Sequence, residues 1–171
     1  EKVPDLGIGL ELVLKRHQKI LDSYLAEKID DATLLKKIKF EKYWYFDLWD
    51  NFQPLFEYAR YHKLPLYGIE ASWGRDIPLV ERDRQSAKVI AQIVARHPSK
   101  KLILFVGDLH VAPPHLPQEV SRELKTRGLS RRALIIYQNS EQIYWRLAAE
   151  ELEDKTEIVR VDAQSFCVIN T

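Results

Sequence analysis

The stretch Lys101-Leu-Ile-Leu-Phe-Val-Gly-Asp-Leu-His110 decides the predicted fold. Its apolar run, Leu102 to Val106, has β-branched and aromatic members and no polar alternation, which is typical of a strand buried on both faces of a parallel sheet. Gly107 ends the run, and Asp108 and His110 follow, two side chains that carry charge or bind metals. Because open α/β sheets bind ligands beyond the carboxyl ends of their strands, we expect chemistry here. The alternative is a turn with a capping Asp108 and a solvated His110.

The composition is that of an ordinary globular protein. Of the 171 residues, 46% are hydrophobic and 30% are charged, with 26 basic and 25 acidic residues. The net charge of +1 leaves no large basic field, so nucleic acid is not an expected partner. The single cysteine, Cys167, excludes an internal disulfide framework and a zinc site built from cysteines.

Strands and helices are expected to alternate along the chain. Apolar runs predict strands at 6–14, 64–71, 102–106 and 133–137, and two more at 157–161 and 166–169 that pair with each other. Helical spacing predicts helices at 15–28, 48–61, 77–96, 117–127 and 140–151, and Asp30 and Asp31 are candidate N-caps of a further short helix that follows them. Asp76 is expected to cap the helix at 77–96, on which Arg82 and Asp83 are mostly solvated. The fold class is therefore α/β, with a mostly parallel sheet flanked by helices. Residues 15–62, which hold no other predicted strand, form a helical cap inserted between the first two strands.

Acidic side chains stand in or just beyond the predicted parallel strands. Glu11 interrupts an apolar strand, where a carboxylate is costly unless it is paired or binds something; on an edge strand it would simply face solvent. Glu70 closes the second strand, although the following Arg75-Asp76 pair would also make a local cap and ion pair. If these strands are neighbours, their side chains converge on one crevice. The candidate catalytic residues are then Glu11, Glu70, Asp108 and His110.

Several chemistries fit this set. His110 and Glu11 offer imidazole and carboxylate ligands for a divalent metal ion that polarises a water. The same groups suit acid–base catalysis without a metal, and His110 also suits haem iron. His115, five residues further on, is a weaker candidate. No His-x-x-x-His, Cys-x-x-Cys or glycine-rich phosphate loop narrows the choice.

The segment from Tyr43 to Phe56 is dense in aromatic residues. At helical spacing, such side chains more often form a hydrophobic core than a cofactor pocket. The alternatives are an apolar lid over a flat ligand and the surface of a homodimer. Trp44 is the candidate cofactor contact in this segment.

The order of several motifs resembles the ChaN-like family. The motifs are Gly-Leu-Glu-Leu-Val-Leu at 9–14, His-Gln-Lys-Ile-Leu-Asp-Ser-Tyr-Leu at 17–25, Tyr-Trp-Tyr-Phe-Asp at 43–47, Gln-Pro-Leu-Phe-Glu-Tyr-Ala-Arg at 53–60, Leu-Pro-Leu-Tyr-Gly-Ile-Glu-Ala at 64–71, Arg75-Asp76, and Val-Gly-Asp-Leu-His-Val at 106–111. The family contains haem-binding, iron-regulated lipoproteins, and its superfamily includes the erythromycin esterases, the TraB proteins and the Tiki metalloproteases. The resemblance covers nearly the whole chain and implies one ChaN-like α/β domain over 1–171.

The resemblance also implies site residues. In the superfamily these come from two Gly-x-x-His-like motifs and from acidic residues on intervening strands. The second motif resembles Gly107 to His110, the strand glutamate resembles Glu11, and Arg75 is a further candidate for cofactor contact. The first motif, of the Gly-Glu-x-His type, has no counterpart in this sequence. In the superfamily this motif precedes the position that corresponds to Glu1. We therefore expect either that an N-terminal segment is missing from this sequence or that part of the site has been lost.

Three functions follow. The first is a haem-binding or iron-uptake protein that binds haem through His110 and the aromatic segment. The second is a metal-assisted or acid–base hydrolase of the erythromycin esterase or Tiki type, acting on an ester or peptide. The third is an inactive folded fragment. The resemblance implies a membrane-anchored lipoprotein or a periplasmic protein; no signal peptide or lipid-attachment cysteine is visible, so a cytoplasmic location stays open.

Overall fold

A computed structural model describes residues 5–44, 49–72 and 76–169. Its elements, in chain order, are β1 Leu6–Leu14, a 3-10 helix Lys15–His17, α1 Gln18–Leu25, α2 Asp31–Ile38, α3 Phe40–Tyr43, α4 Trp49–Tyr61, β2 Leu66–Glu70, α5 Leu79–Arg96, β3 Lys101–Phe105, α6 Asp108–Val111, α7 Leu116–Thr126, β4 Ile135–Gln138, α8 Glu141–Ala149, β5 Ile158–Arg160 and β6 Ser165–Val168. The α/β class and the helical insertion between β1 and β2 are confirmed. Among the described helices, none has the length and apolar character needed to cross a membrane.

The first sheet is parallel, with strand order β2-β1-β3. The central strand is β1, which pairs Ile8 with Leu66 of β2 and with Ile103 of β3. The register with β2 shifts between Leu10 and Leu14. Here a Cβ atom on Gly68 would lie 2.7 Å from the carbonyl oxygen of Leu14, so only glycine permits this close approach of the two backbones.

The prediction that the strand at 102–106 is buried on both faces is wrong. β3 is an edge strand in which exposed and half-buried residues alternate. Leu102 and Leu104 pack beneath α5 and α7, whereas Ile103 and Phe105 are 46% and 39% exposed. An unbroken apolar run indicates a strand but does not say whether a second layer covers both of its faces, and the strand covered on both sides is β1.

Two hydrophobic cores lie on opposite faces of β1. One joins alternate residues of β1, such as Leu10 and Leu12, to the helical insertion, where Trp49 and Phe56 are buried. The interpretation of the aromatic segment as core is thus confirmed for these two residues; positions 45–48 lie outside the described residues. The other core joins β2 and β3 to α5 and α7.

The second sheet has strand order β4-β6-β5. β4 runs parallel to β6, and β5 runs antiparallel to it. The predicted pairing of the last two strands is therefore confirmed.

Helix α5 carries the charged groups that complete the candidate site. It begins at Leu79 with Pro78 as its N-cap, and no side-chain cap bond is formed there, so the predicted cap by Asp76 is wrong. Its buried face includes Ala87 and Ile90, and Asp83 shares that face. The face packs on β2 and α7, and Arg82, near the start of the helix, reaches Glu11 and Glu70 at the carboxyl end of the sheet.

Candidate metal and acid–base site

Three predicted residues meet at the carboxyl end of the first sheet. Glu11 lies in β1 on the face that α5 covers, Glu70 is the last residue of β2, and His110 lies in α6, just after β3. One ligand atom from each of the three lies within 4.8 Å of the other two. Because parallel strands end at the same edge of a sheet, the chain brings these groups together from positions 99 residues apart.

His110 stands between two carboxylates. Its Nδ1 lies 2.5 Å from Oδ1 of Asp83, and its Nε2 lies 3.1 Å from Oε1 of Glu11. The residue is only 5% exposed. Burial alone would lower the pKa of His110, but the hydrogen bonds to Glu11 and Asp83 outweigh it and raise the pKa above its usual value. The two carboxylate contacts therefore favour protonation of this ring more than solvent would.

Three groups stabilise Glu11 as a carboxylate: the backbone N–H of Gly107, Nη2 of Arg82 and Nε2 of His110. The backbone N–H of Gly107 donates to its Oε2 at 2.7 Å, and Nη2 of Arg82 donates to its Oε1 at 2.9 Å. Burial tends to raise the pKa of Glu11, but the bonds from His110 and Gly107 lower it below the usual range. The glycine that ends the strand run thus serves the site through its backbone.

Glu70 is fully buried and shares Arg82 with Glu11. Nη2 of Arg82 donates to its Oε2 at 2.6 Å, and the backbone N–H of Ala71 donates to its Oε1 at 3.1 Å. Burial raises the pKa of Glu70, and Arg82 opposes this only in part. Burial likewise disfavours the charge on Arg82, yet the two glutamates raise the pKa of Arg82, which stays a cation.

Asp83 links a second histidine to the site. Its Oδ2 lies 3.0 Å from Nδ1 of His115, and its side chain is fully buried. The prediction that Arg82 and Asp83 are mostly solvated is therefore wrong. Asp83 precedes Ala87 and Ile90 by four and seven residues, the spacing of one helical face, and this signal identifies it as inward-facing despite its charged neighbours.

Asp108 and Trp44, the other predicted site residues that the structure describes, are not brought into this cluster. Asp108 is exposed in the first turn of α6. Trp44 packs against the core of the helical insertion, where its ring stacks on Phe40 with centroids 6.4 Å apart. Arg75 lies outside the described residues. Their catalytic and cofactor roles stay predictions.

The cluster fits a metal ion in number and type of donors. Metal bonds of about 2.0–2.2 Å place opposite ligand atoms up to about 4.4 Å apart, so a separation within 4.8 Å needs only a small contraction. Carboxylate oxygens and one imidazole suit the divalent ions of iron, manganese and zinc. In addition, a metal-binding imidazole commonly donates its other N–H to a carboxylate, the position that Asp83 holds on His110.

Haem fits the arrangement less directly. Both nitrogens of His110 face carboxylates, so neither offers a lone pair to haem iron until Glu11 moves away. A cavity of about 590 Å³ lies elsewhere, on the helical insertion, lined by Glu27, Lys28, Ile29, Asp30, Thr33 and Arg60. A haem bound through His110 therefore requires a local rearrangement.

Comparison with known proteins gives a match to a family model. Residues 1–73 match the family model described as "Haem-binding uptake, Tiki superfamily, ChaN". No curated protein and no solved structure matches the chain. The matched part includes Glu11 and Glu70, whereas Arg82, Asp83 and His110 follow it along the chain.

Proposed function

We propose that the chain, whose residues 1–73 match the ChaN family model, binds a divalent metal ion through Glu11, Glu70 and His110. The observation that carries this proposal is the meeting of two carboxylates and one imidazole within 4.8 Å at the end of the sheet. Iron(II) is the first candidate, because the description of the matched family concerns haem uptake and the donor set suits iron.

The chemistry we propose is metal-assisted hydrolysis of a small ester or peptide. A bound ion supplies a Lewis acid that polarises an oxygen and makes a water acidic near neutral pH. The residues of the chain hold and orient the groups around it: Asp83 fixes the ring of His110 through Nδ1, which directs Nε2 toward Glu11.

Metal binding is tested on the whole chain after removal of metal by a chelator. We expect calorimetric titration with Mn²⁺ to reveal one site per chain. His110→Ala and Glu11→Gln should each weaken binding by about tenfold or more, since each removes a ligand. His62→Ala is the matched control, because His62 is exposed on a helix end and pairs only with tyrosine rings among its described contacts. If His110→Ala binds Mn²⁺ as tightly as the unaltered protein does, the proposed metal site is refuted.

Hydrolysis needs a separate measurement. The metal-loaded protein is assayed against a panel of small chromogenic esters and peptides. We expect a rate that requires the ion and falls by at least about a hundredfold in Glu11→Gln, the range that single acid–base groups contribute. A rate unchanged by chelator or by Glu11→Gln would reject the reaction while leaving metal binding intact.

Haem binding is the second candidate, supported by the description of the matched family and by the exposed apolar residue that precedes His110 in the chain. Leu109 is 72% exposed, so it offers surface to a flat apolar ring. Addition of hemin should shift its Soret band, and His110→Ala should abolish the shift if His110 is the iron ligand. Absence of a shift at a severalfold excess of protein refutes this candidate. Gel filtration with and without hemin reports whether a homodimer forms.

A further inference from the structure

Arg82 occupies the position that a metal ion would need. Its Nη2 lies 2.9 Å from Oε1 of Glu11 and 2.6 Å from Oε2 of Glu70, so a single nitrogen bridges the two carboxylates. Oε1 of Glu11 is also the oxygen that meets Nε2 of His110. An ion bound to all three residues must sit between the same carboxylates. The guanidinium and the ion therefore exclude each other.

The contact between Arg82 and the glutamates is not the usual one for arginine. Arginine commonly binds one carboxylate through two parallel N–H groups of its planar fork. Here one nitrogen serves both carboxylates, and Nε of Arg82 is buried without a hydrogen-bond partner among the described residues. The side chain acts as a point cation and leaves one of its own donors unsatisfied. Its departure therefore costs less than that of a fully bonded guanidinium.

Arg82 also has a route out of the site. Its side chain is 22% exposed, whereas that of Glu70 is 1% exposed. Helix α5, which carries Arg82, is held in place by its buried residues, among them Asp83 and Ala87. Rotation of the Arg82 side chain toward solvent therefore needs no movement of α5.

We propose that Arg82 is a built-in competitor for the metal ion. It supplies a positive charge between Glu11 and Glu70 when no ion is bound and swings toward solvent when an ion enters. This inference rests on the proposed metal site and concerns its regulation. The consequence is a site whose affinity for a divalent ion is weaker than its ligands alone would give, so that the ion is bound reversibly.

The test compares Mn²⁺ binding by the full chain and three variants, measured by calorimetry after chelator treatment. We expect Arg82→Gln to bind Mn²⁺ at least about tenfold more tightly than the unaltered protein, because the competing charge is gone. Arg82→Lys keeps a competing charge and should stay within about threefold. Arg84→Gln is the matched control: Arg84 lies on the same helix, is 52% exposed and pairs with Glu81 instead, so no change is expected.

Thermal unfolding gives an independent readout. Without metal, Arg82→Gln should unfold at a lower temperature than the unaltered protein, since the buried Glu70 and the half-buried Glu11 lose the positive charge between them. Mn²⁺ should then raise its unfolding temperature by more than it raises that of the unaltered protein. A variant that is unfolded alone and folds with Mn²⁺ supports the inference; one that stays unfolded with Mn²⁺ overturns it.

The outcomes separate the two proposals. If Arg82→Gln binds Mn²⁺ no better than the unaltered protein, or binds it less well, Arg82 is not a competitor, although the metal site stands. If neither protein binds Mn²⁺, the metal site itself is refuted and the role of Arg82 falls with it.

Discussion

Replacing Asp83 by asparagine removes a charge from the most buried carboxylate of the site while keeping its shape. Asp83 is 0% exposed and accepts hydrogen bonds from His110 at 2.5 Å and from His115 at 3.0 Å. The ring of His110 is buried with it, whereas the side chain of His115 is 28% exposed. The bond to His110 is therefore the one that solvent screens least.

The magnitude follows from this burial. A hydrogen bond to a charged group is worth about 1.5–3 kcal/mol, and removing one partner of a buried ion pair costs about 3–5 kcal/mol. Asparagine keeps one acceptor oxygen for His110, so we expect the free energy of unfolding to fall by about 2–4 kcal/mol. For a chain of this length, each kcal/mol lowers the unfolding temperature by roughly 2–4 °C.

Urea unfolding followed by circular dichroism measures this loss in the chelator-treated protein. Asp108→Asn is the matched control, because Asp108 is exposed in the helix that also carries His110. The control should change stability by less than about 0.5 kcal/mol. If Asp83→Asn is as mild as Asp108→Asn, the buried network does not stabilise the fold, and the reasoning from its geometry is refuted.

Two further predictions concern stability. The pKa of His110 is raised in the folded state, so the stabilising charge is fully present below the unfolded value of about 6.5 and is lost as the pH rises through the folded value. The difference in unfolding free energy between the unaltered protein and His110→Gln, measured with chelator, should therefore shrink from pH 6 to pH 9. A constant difference would show that the charge on His110 does not stabilise the fold. Gly68→Ala should destabilise the protein by about 1–3 kcal/mol, because the new Cβ would lie 2.7 Å from a backbone oxygen of β1. An unchanged urea midpoint would contradict this close approach. Gly128→Ala is the comparison, since a Cβ added there has open space around it and its cost comes from the φ of +67° alone.

Much of the architecture could be read from the sequence because its signals are local. The apolar run of β1 ends at Leu14 as predicted, and Asp30 caps α2 by accepting from the N–H of Thr33 at 2.9 Å. The position of β3 at the edge of the sheet could not be predicted from local sequence signals. An apolar strand has the same local pattern whether or not a further layer covers it, and the order of strands depends on contacts distant in the sequence.

The site was predictable in part for the same reason. Glu11 stands out in the sequence because a carboxylate within an apolar strand demands a partner, and His110 stands out because it follows a strand end. Asp83 and Arg82 do not stand out, because they lie in a run of charged residues on a helix, where most such groups are solvated. Only the helical spacing of Asp83 with Ala87 separates it from its exposed neighbours. Arg82, which bridges two strands, leaves no such signal.

The central claim is that Glu11, Glu70 and His110 hold one metal ion, and anomalous diffraction from crystals soaked in Mn²⁺ tests it most directly. The account predicts one anomalous peak about 2.0–2.3 Å from a carboxylate oxygen of each glutamate and from Nε2 of His110, with the guanidinium of Arg82 turned toward solvent. A crystal with no peak there, in which Nη2 of Arg82 still bridges the two glutamates at high Mn²⁺ concentration, would contradict it.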